Sequence, residues 1–246
     1  MSTRVSPPQE ELLEARPADA PLSEALLRGM DMPGPRYTSY PTADRYVEAS
    51  GAAEYRQALR QRALMNSAAP LSVYVHIPFC EALCYYCACN KIITKHKSRG
   101  GEYLFDLQRE LELHVGELGR GQSVSQLHLG GGSPTFLSDE ELAELLAMLR
   151  AAFRLQPEAE LSIEVDPRTA SRERLRRLSA MGFNRISFGV QDLDLAVQLA
   201  VHRVQPFDGV RELVQSGLVA LGRGSRSLSD RAKIEKTRPA AVRLAN

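Results

Sequence analysis

Between residues 71 and 190 short apolar runs alternate with amphipathic stretches, the sequence form of successive β-α units. Ser72-Val73-Tyr74-Val75-His76-Ile77 predicts a strand within residues 71–77. Residues 101–118 place Leu104, Leu107, Leu111 and Leu118 on one side at helical spacing, with Val115 extending the stripe. Val124 to Leu129 predicts a second strand, closed by Gly130-Gly131-Gly132-Ser133-Pro134. Ser138 followed by Glu141 forms a capping-box pattern, and Leu142, Leu145, Leu146 and Leu149 supply the apolar face of the helix behind it. The cycle repeats through a strand at 160–165, a helix at 171–180 and a strand at 185–190. Four strands with crossover helices predict an α/β fold with a parallel sheet. The unusual polar residues fall at strand ends, where such folds place their ligands.

Composition narrows the function classes. At 246 residues and 43% hydrophobic content the chain supports one well-buried core. Its formal net charge of +1 gives no electrostatic footprint for nucleic acid or a membrane surface, so neither is expected as a partner. No signal peptide or bilayer-length apolar run is apparent, so a cytoplasmic location and, if the chain is soluble, a monomer are expected. Four segments are expected: a flexible N-terminal arm at 1–32, an N-terminal segment at 33–70, a partial barrel at 71–215 and a divergent tail at 216–246. The tail is basic, since residues 221–246 hold seven Arg or Lys against two acids.

The chemistry begins at Cys80, Cys84 and Cys87, spaced C-x3-C-x2-C directly after the first strand. Three thiolates on one loop can hold three irons of a 4Fe–4S cube and leave the fourth open to a small chelating molecule. A zinc site is the competing reading, with Cys89 as fourth ligand or His76 or His96 in its place, although zinc loops favour two cysteine pairs separated by a long stretch. Disulfides are disfavoured in a reducing cytosol. The glycine run lets a ligand approach backbone groups, but it is neither a P-loop nor a dinucleotide fingerprint, and a tight turn alone explains such a triplet often. Glu164, near the end of an apolar strand, faces either a ligand cleft or a buried ion pair. Gln191 and Arg203 complete a candidate polar ring.

These features resemble the radical S-adenosylmethionine superfamily, and within it the oxygen-independent coproporphyrinogen III oxidases. The resemblance is carried by Gly34-Pro35-Arg36-Tyr37-Thr38-Ser39-Tyr40-Pro41-Thr42-Ala43, by Tyr74 to Cys80 and by Cys84-Tyr85-Tyr86-Cys87-Ala88-Cys89-Asn90-Lys91. Gly130 to Thr135, Glu164 to Arg168 and Asn184 to Asp192 continue it in the same order.

It implies an incomplete partial (β/α) barrel with Cys80, Cys84 and Cys87 as cluster ligands and Cys89 as a required neighbour. It further implies that Tyr74 lies close to cofactor and cluster, that Gly131, Gly132 and Ser133 meet the methionine part of S-adenosylmethionine, and that Glu164, Gln191 and Arg203 bind cofactor. His76 lies in the family's active-site strand. Two S-adenosylmethionine molecules, a porphyrinogen substrate and a low-potential electron donor belong to the implied reaction. That reaction is oxidative decarboxylation of coproporphyrinogen III to protoporphyrinogen IX in haem biosynthesis, begun by a 5′-deoxyadenosyl radical.

Tyr86 and Ala88 stand where the family usually has phenylalanine and glycine, and a positive φ at Ala88 would require a loop shift. After Val214 the resemblance ends, and a truncated product without turnover is expected. A haem-carrying chaperone-like relative and a non-catalytic remnant are the alternative readings.

Overall fold

The structure is a computed structural model that describes Arg45, Val47, Glu48 and residues 51–65 and 69–221. The expected N-terminal arm, the Gly34 to Ala43 segment and the basic tail from 222 onward lie outside the described residues. The chain divides into two compact units, Met1–Ala52 and Ala53–Asn246, and apart from Ala52 the elements described here belong to the second.

Helix α1 (Ala52–Leu64) precedes strand β1 (Leu71–Ile77). Two short strands, β2 (Phe79–Cys80) and β3 (Ile92–Ile93), enclose the cysteine loop, followed by α2 (Arg99–Leu118), β4 (Gln122–Gly131) and a 3-10 turn at Pro134–Phe136. Then come α3 (Asp139–Ala152), β5 (Phe153–Val165), α4 (Arg172–Ala180), β6 (Arg185–Phe188), α5 (Leu195–Ala200) and α6 (Phe207–Ala220). The main sheet has the order β1-β4-β5-β6 with every pairing parallel.

Side-chain alternation separates the two faces of this sheet. Val75, Ile77, Leu127, Leu129, Leu161, Ile163 and Val165 are buried with Leu104 of α2, Leu142 and Leu146 of α3, and Leu175 and Leu178 of α4. Each such side chain contributes about 1.5–3 kcal/mol of burial, so the covered face anchors the fold. Their strand neighbours Tyr74, His76, Gln126, His128, Ser162 and Glu164 point to the opposite face. A parallel strand covered on both sides reads as continuous apolar sequence. These strands alternate instead, and leave a polar face available for a ligand.

Element boundaries differ from the periodicity reading where pairing is irregular. Strand β5 begins at Phe153, because residues 153–155 pair with 122–124 before regular pairing resumes at 160. Gln156 to Ala159 thus stand against Ser125 alone, and the bulge accommodates Pro157, which has no N–H for the ladder. Strand β6 ends at Phe188, where Val190 N–H turns back to the Phe188 carbonyl at 3.0 Å. The boundary drawn at 216 falls inside α6, whose Gly217 is buried where an added Cβ would lie 3.5 Å from the Phe188 ring. No described helix is long and apolar enough to cross a membrane.

Candidate active site at the carboxyl ends of the strands

The cysteine loop is tied at its base by the parallel β2–β3 pair, which aligns Phe79 with Ile92 and Cys80 with Ile93. Bonds from Ile92 N–H to Pro78 O (2.7 Å) and from Thr94 N–H to Cys80 O (2.9 Å) close it. Lys91 Nζ donates to Cys87 O (2.8 Å) and Cys89 O (3.4 Å), fixing the distal limb. All four cysteines are free thiols, with Cys84 buried, Cys80 and Cys87 half-buried and Cys89 exposed. Burial, reinforced by the Cys87 and Cys84 sulfurs, pushes the Cys80 thiol up to about 11. Cys87 and Cys84 thus lie close enough to Cys80 for their charges to be felt at its thiol. Burial and Cys87 likewise raise Cys89.

Cys84 is the thiol the protein serves best. Arg203 Nη1 approaches its Sγ at 3.3 Å and Arg168 Nη2 at 3.6 Å. Both guanidiniums share Asp166, through Arg168 Nη2 to Oδ2 at 2.7 Å and Arg203 Nη2 to Oδ1 at 3.3 Å. Burial alone would raise the Asp166 carboxyl, but Arg168 and Arg203 outweigh it and hold it below its ordinary value. Arg203 Nη2 also donates to Gly189 O at 2.9 Å. A side chain at Gly189 would meet that guanidinium at 2.9 Å and Gln191 Nε2 at 3.5 Å, so Arg203 and Gln191 adjoin. Arg203 Nε and Gln191 Oε1 are buried without protein partners. Such orphaned atoms cost about 1–3 kcal/mol each unless a polar ligand or water satisfies them.

Along the open face of the sheet, Tyr74, His128 and Ser162 stand in register on adjacent strands. Tyr74 stacks on the His128 ring at 5.7 Å and 22°. Its hydroxyl meets His76 Nδ1 at 3.0 Å, while His76 Nε2 meets the Asn90 carbonyl at 2.8 Å. A carbonyl only accepts, so His76 carries its proton on Nε2 and accepts from Tyr74 on Nδ1. Both His76 nitrogens are thus engaged by protein partners. His128 Nδ1 bonds Ser162 Oγ, and its Nε2 reaches Glu164 Oε1 at 3.2 Å. Glu164 therefore has a hydrogen-bond partner on the neighbouring strand. Burial, followed by the Glu164 charge, raises the Tyr74 hydroxyl above its ordinary value.

The glycine run is explained first by backbone packing. Gly131 has φ +117, and a Cβ there would lie 2.7 Å from Ile77 O. At Gly132 a Cβ would lie 2.8 Å from Cys80 Sγ and from Pro78 O. Gly132 N–H instead donates to Ile77 O at 2.8 Å, which brings the end of β4 against the root of the cysteine loop. Ser133 follows directly, with its hydroxyl 3.4 Å from that of Thr135. Ala88 needs no positive φ, since His202 is the only non-glycine with one among the described residues.

The structure thus gathers the cysteine loop, glycine run, Glu164, Gln191 and Arg203 at the carboxyl ends of the strands. Sequence reasoning assigned no role to His128, Asp166, Arg168, Lys91 or His202. Strand periodicity marked His128, which shares a face with Gly130, and Asp166 and Arg168 lay inside a segment already noted. Among the described residues no group of three or more His, Cys, Asp or Glu side chains is gathered closely enough for a single metal ion. One tetrahedral zinc needs its sulfurs all at about 2.3 Å from the metal, whereas a cube receives each thiolate on a different iron and fits a wider spread. Free thiols on one loop, N–H donors at Cys84 and two orphaned polar atoms suit a cluster with an adjoining polar cofactor.

A partial parallel barrel carrying a three-cysteine loop after its first strand defines a class. The radical SAM superfamily model matches residues 74–216, and the chain belongs to that superfamily. Among its relatives is the oxygen-independent coproporphyrinogen III oxidase of Pseudomonas aeruginosa, 48% identical over 193 residues, covering 78% of this chain and 42% of the relative. The Escherichia coli enzyme of the same name is 46% identical over 181 residues, covering 74% and 38%. The solved structure of coproporphyrinogen III oxidase from Escherichia coli, described as a radical SAM enzyme, superposes with TM-score 0.67 at 42% identity, covering 74% of this chain and 41% of that one. The chain therefore spans about two fifths of the length of these relatives.

Proposed function

We propose that Cys80, Cys84 and Cys87 hold a 4Fe–4S cluster, beside which the chain binds S-adenosylmethionine as part of an oxygen-independent coproporphyrinogen III oxidase. Three free cysteines on one short loop, with the Arg203 and Arg168 guanidiniums aimed at Cys84 Sγ, carry the reading. When bound, cluster and cofactor together supply one-electron cleavage of a sulfonium and a carbon radical that takes hydrogen from a substrate propionate.

The chain's own residues bind and orient. Arg203 and Arg168 offset the negative charge that three thiolates bring to the loop. Glu164, oriented by His128, accepts hydrogen bonds from an ammonium or ribose hydroxyl of the cofactor. Gln191 Oε1 and Arg203 Nε offer one unused acceptor and one unused donor to further polar groups. Gly131, Gly132 and Ser133 present backbone to the methionine part, and Tyr74 covers the edge nearest Glu164. Cys89 stays outside the ligand set, leaving one iron for the cofactor. A porphyrinogen substrate, a low-potential electron donor, a second S-adenosylmethionine and a cytoplasmic setting complete the proposal, by likeness to the relatives.

Anaerobic reconstitution tests it. About four iron and four sulfide per chain are expected, lost in Cys84→Ser and retained in Cys89→Ser. Reductant and S-adenosylmethionine should then release 5′-deoxyadenosine. Zinc as the sole tightly bound metal in protein handled without oxygen, or a cluster spectrum indifferent to Cys84→Ser, refutes the assignment.

A further inference from the structure

Residues 201–203 meet residues 83–85 across more than a hundred positions of chain. Val201 O accepts the Tyr85 N–H at 3.1 Å. His202 Nδ1 lies 2.8 Å from Leu83 O, and because a carbonyl only accepts, the imidazole is the donor. The His202 ring also stacks on the Tyr85 ring, with centroids 5.3 Å apart and planes at 17°. Arg203 Nη1 completes the set on Cys84 Sγ.

The segment that makes these contacts is itself held rigidly. Arg203 N–H closes onto Gln198 O at 2.8 Å. The buried Gln198 side chain ties both flanks, donating to Asp192 O (2.8 Å) and Gln205 O (3.1 Å) and accepting from Gln205 N–H (2.9 Å). At its apex His202 has φ 56, in the left-handed region that non-glycine residues enter uncommonly and histidine more readily than most. The cysteine loop is the reverse case. From Glu81 to Lys91 it has no helix or strand, and apart from a turn closed by Cys87 N–H on Cys84 O at 3.1 Å and the Lys91 bonds its order comes from outside. The β2–β3 pair fixes its base and Lys91 its distal limb, but neither reaches Leu83 to Tyr85.

We infer that Val201-His202-Arg203 is a latch that sets the Leu83 to Tyr85 segment, and with it Cys84, in place before any metal arrives. His202 is its positioning residue. The consequence for metal assembly rests on the cluster assignment above: a loop already ordered takes up iron and sulfide without first losing its freedom. The left-handed turn places the imidazole under Leu83, and ring stacking on Tyr85 restrains the peptide between them.

Hydrogen exchange on the metal-free 246-residue protein tests the latch without the cluster. His202→Gly keeps the left-handed turn and removes the ring, whereas His202→Asn tolerates the same backbone and places an amide donor where Nδ1 stands. Exchange of the Tyr85 amide and of the 81–87 region should quicken about tenfold in His202→Gly, the scale of one hydrogen bond. It should return to within about threefold of the parent protein in His202→Asn, since the donor survives and only the stacking is lost. Unchanged protection in β4 and β5 shows in each case that the sheet is intact. Under limiting iron and sulfide, cluster formation should slow in parallel with loop opening. Parent-like loop exchange in His202→Gly overturns the latch, and so does a His202→Asn loop as open as that of the glycine variant. Iron uptake indifferent to His202 while the loop responds overturns its role in assembly. If the parent protein takes up no iron while its loop still answers to His202, the cluster assignment fails and the latch stands.

Discussion

Asp166 binds two guanidiniums at once, and its titration reports how much the arrangement matters. Its folded value lies below the ordinary 3.8, so its contribution is complete above that pH and is lost as pH falls through the lower folded value. Asp166→Asn should therefore flatten the acid limb of a stability-against-pH curve. It should cost ~3 kcal/mol at neutral pH by leaving Arg168 and Arg203 without their shared anion, as urea titrations at pH 7 and pH 3 would reveal. Gly132 makes a second test at this scale. Gly132→Ala forces its Cβ against Cys80 Sγ and two carbonyls, so the loop must move. Iron bound after reconstitution should fall at least as far as in Cys84→Ser, and full iron content would show that the close approach is dispensable. Cysteine spacing and Glu164 were legible because both signals are local: three thiols within eight positions, and a carboxylate in an apolar strand. Arg168 was not, because its sulfur partner lies 84 positions away, and His202 was not, because its carbonyl partner lies 119 positions away.

At the scale of elements, α3 shows how far local chemistry reaches. Glu141 N–H donates to Ser138 Oγ at 3.1 Å and Ser138 N–H to Glu141 Oε2 at 2.7 Å, the reciprocal pair its sequence predicts. Ser138→Ala should cost about 1 kcal/mol in chemical unfolding, without changing the slope. Loss well beyond that scale would mean that the cap also supports its neighbours. Gly100 of α2 makes that a fair question, since a Cβ there would sit 2.5 Å from Glu141 Oε1. Helices α2, α3 and α4 were readable because apolar positions recur at helical spacing and meet one covered face. Strand limits were not, because the bulge opposite Ser125 and the turn after Phe188 arise from pairing with another strand.

For the whole molecule, the order β1-β4-β5-β6 ranks the strands by protection. Strands β4 and β5 have a neighbour on each side and the buried leucines beneath, whereas β6 pairs through four residues. Native-state hydrogen exchange should find the slowest amides in β4 and β5 and faster exchange in β6. Equal protection of β6 and β5 would contradict the ranking. Alternation of apolar runs with amphipathic stretches carried the fold class, the parallel sheet and the end at which chemistry gathers, because each follows from short-range periodicity and from the twist of linked strands. The cysteine spacing likewise marked the loop as a candidate site before any fold was known. Only the folded chain decided which cysteine receives the arginines, which histidine orients Glu164 and which distant turn fastens the loop. Those are contacts between surfaces that meet only when the sheet forms, and no local pattern in the chain encodes them.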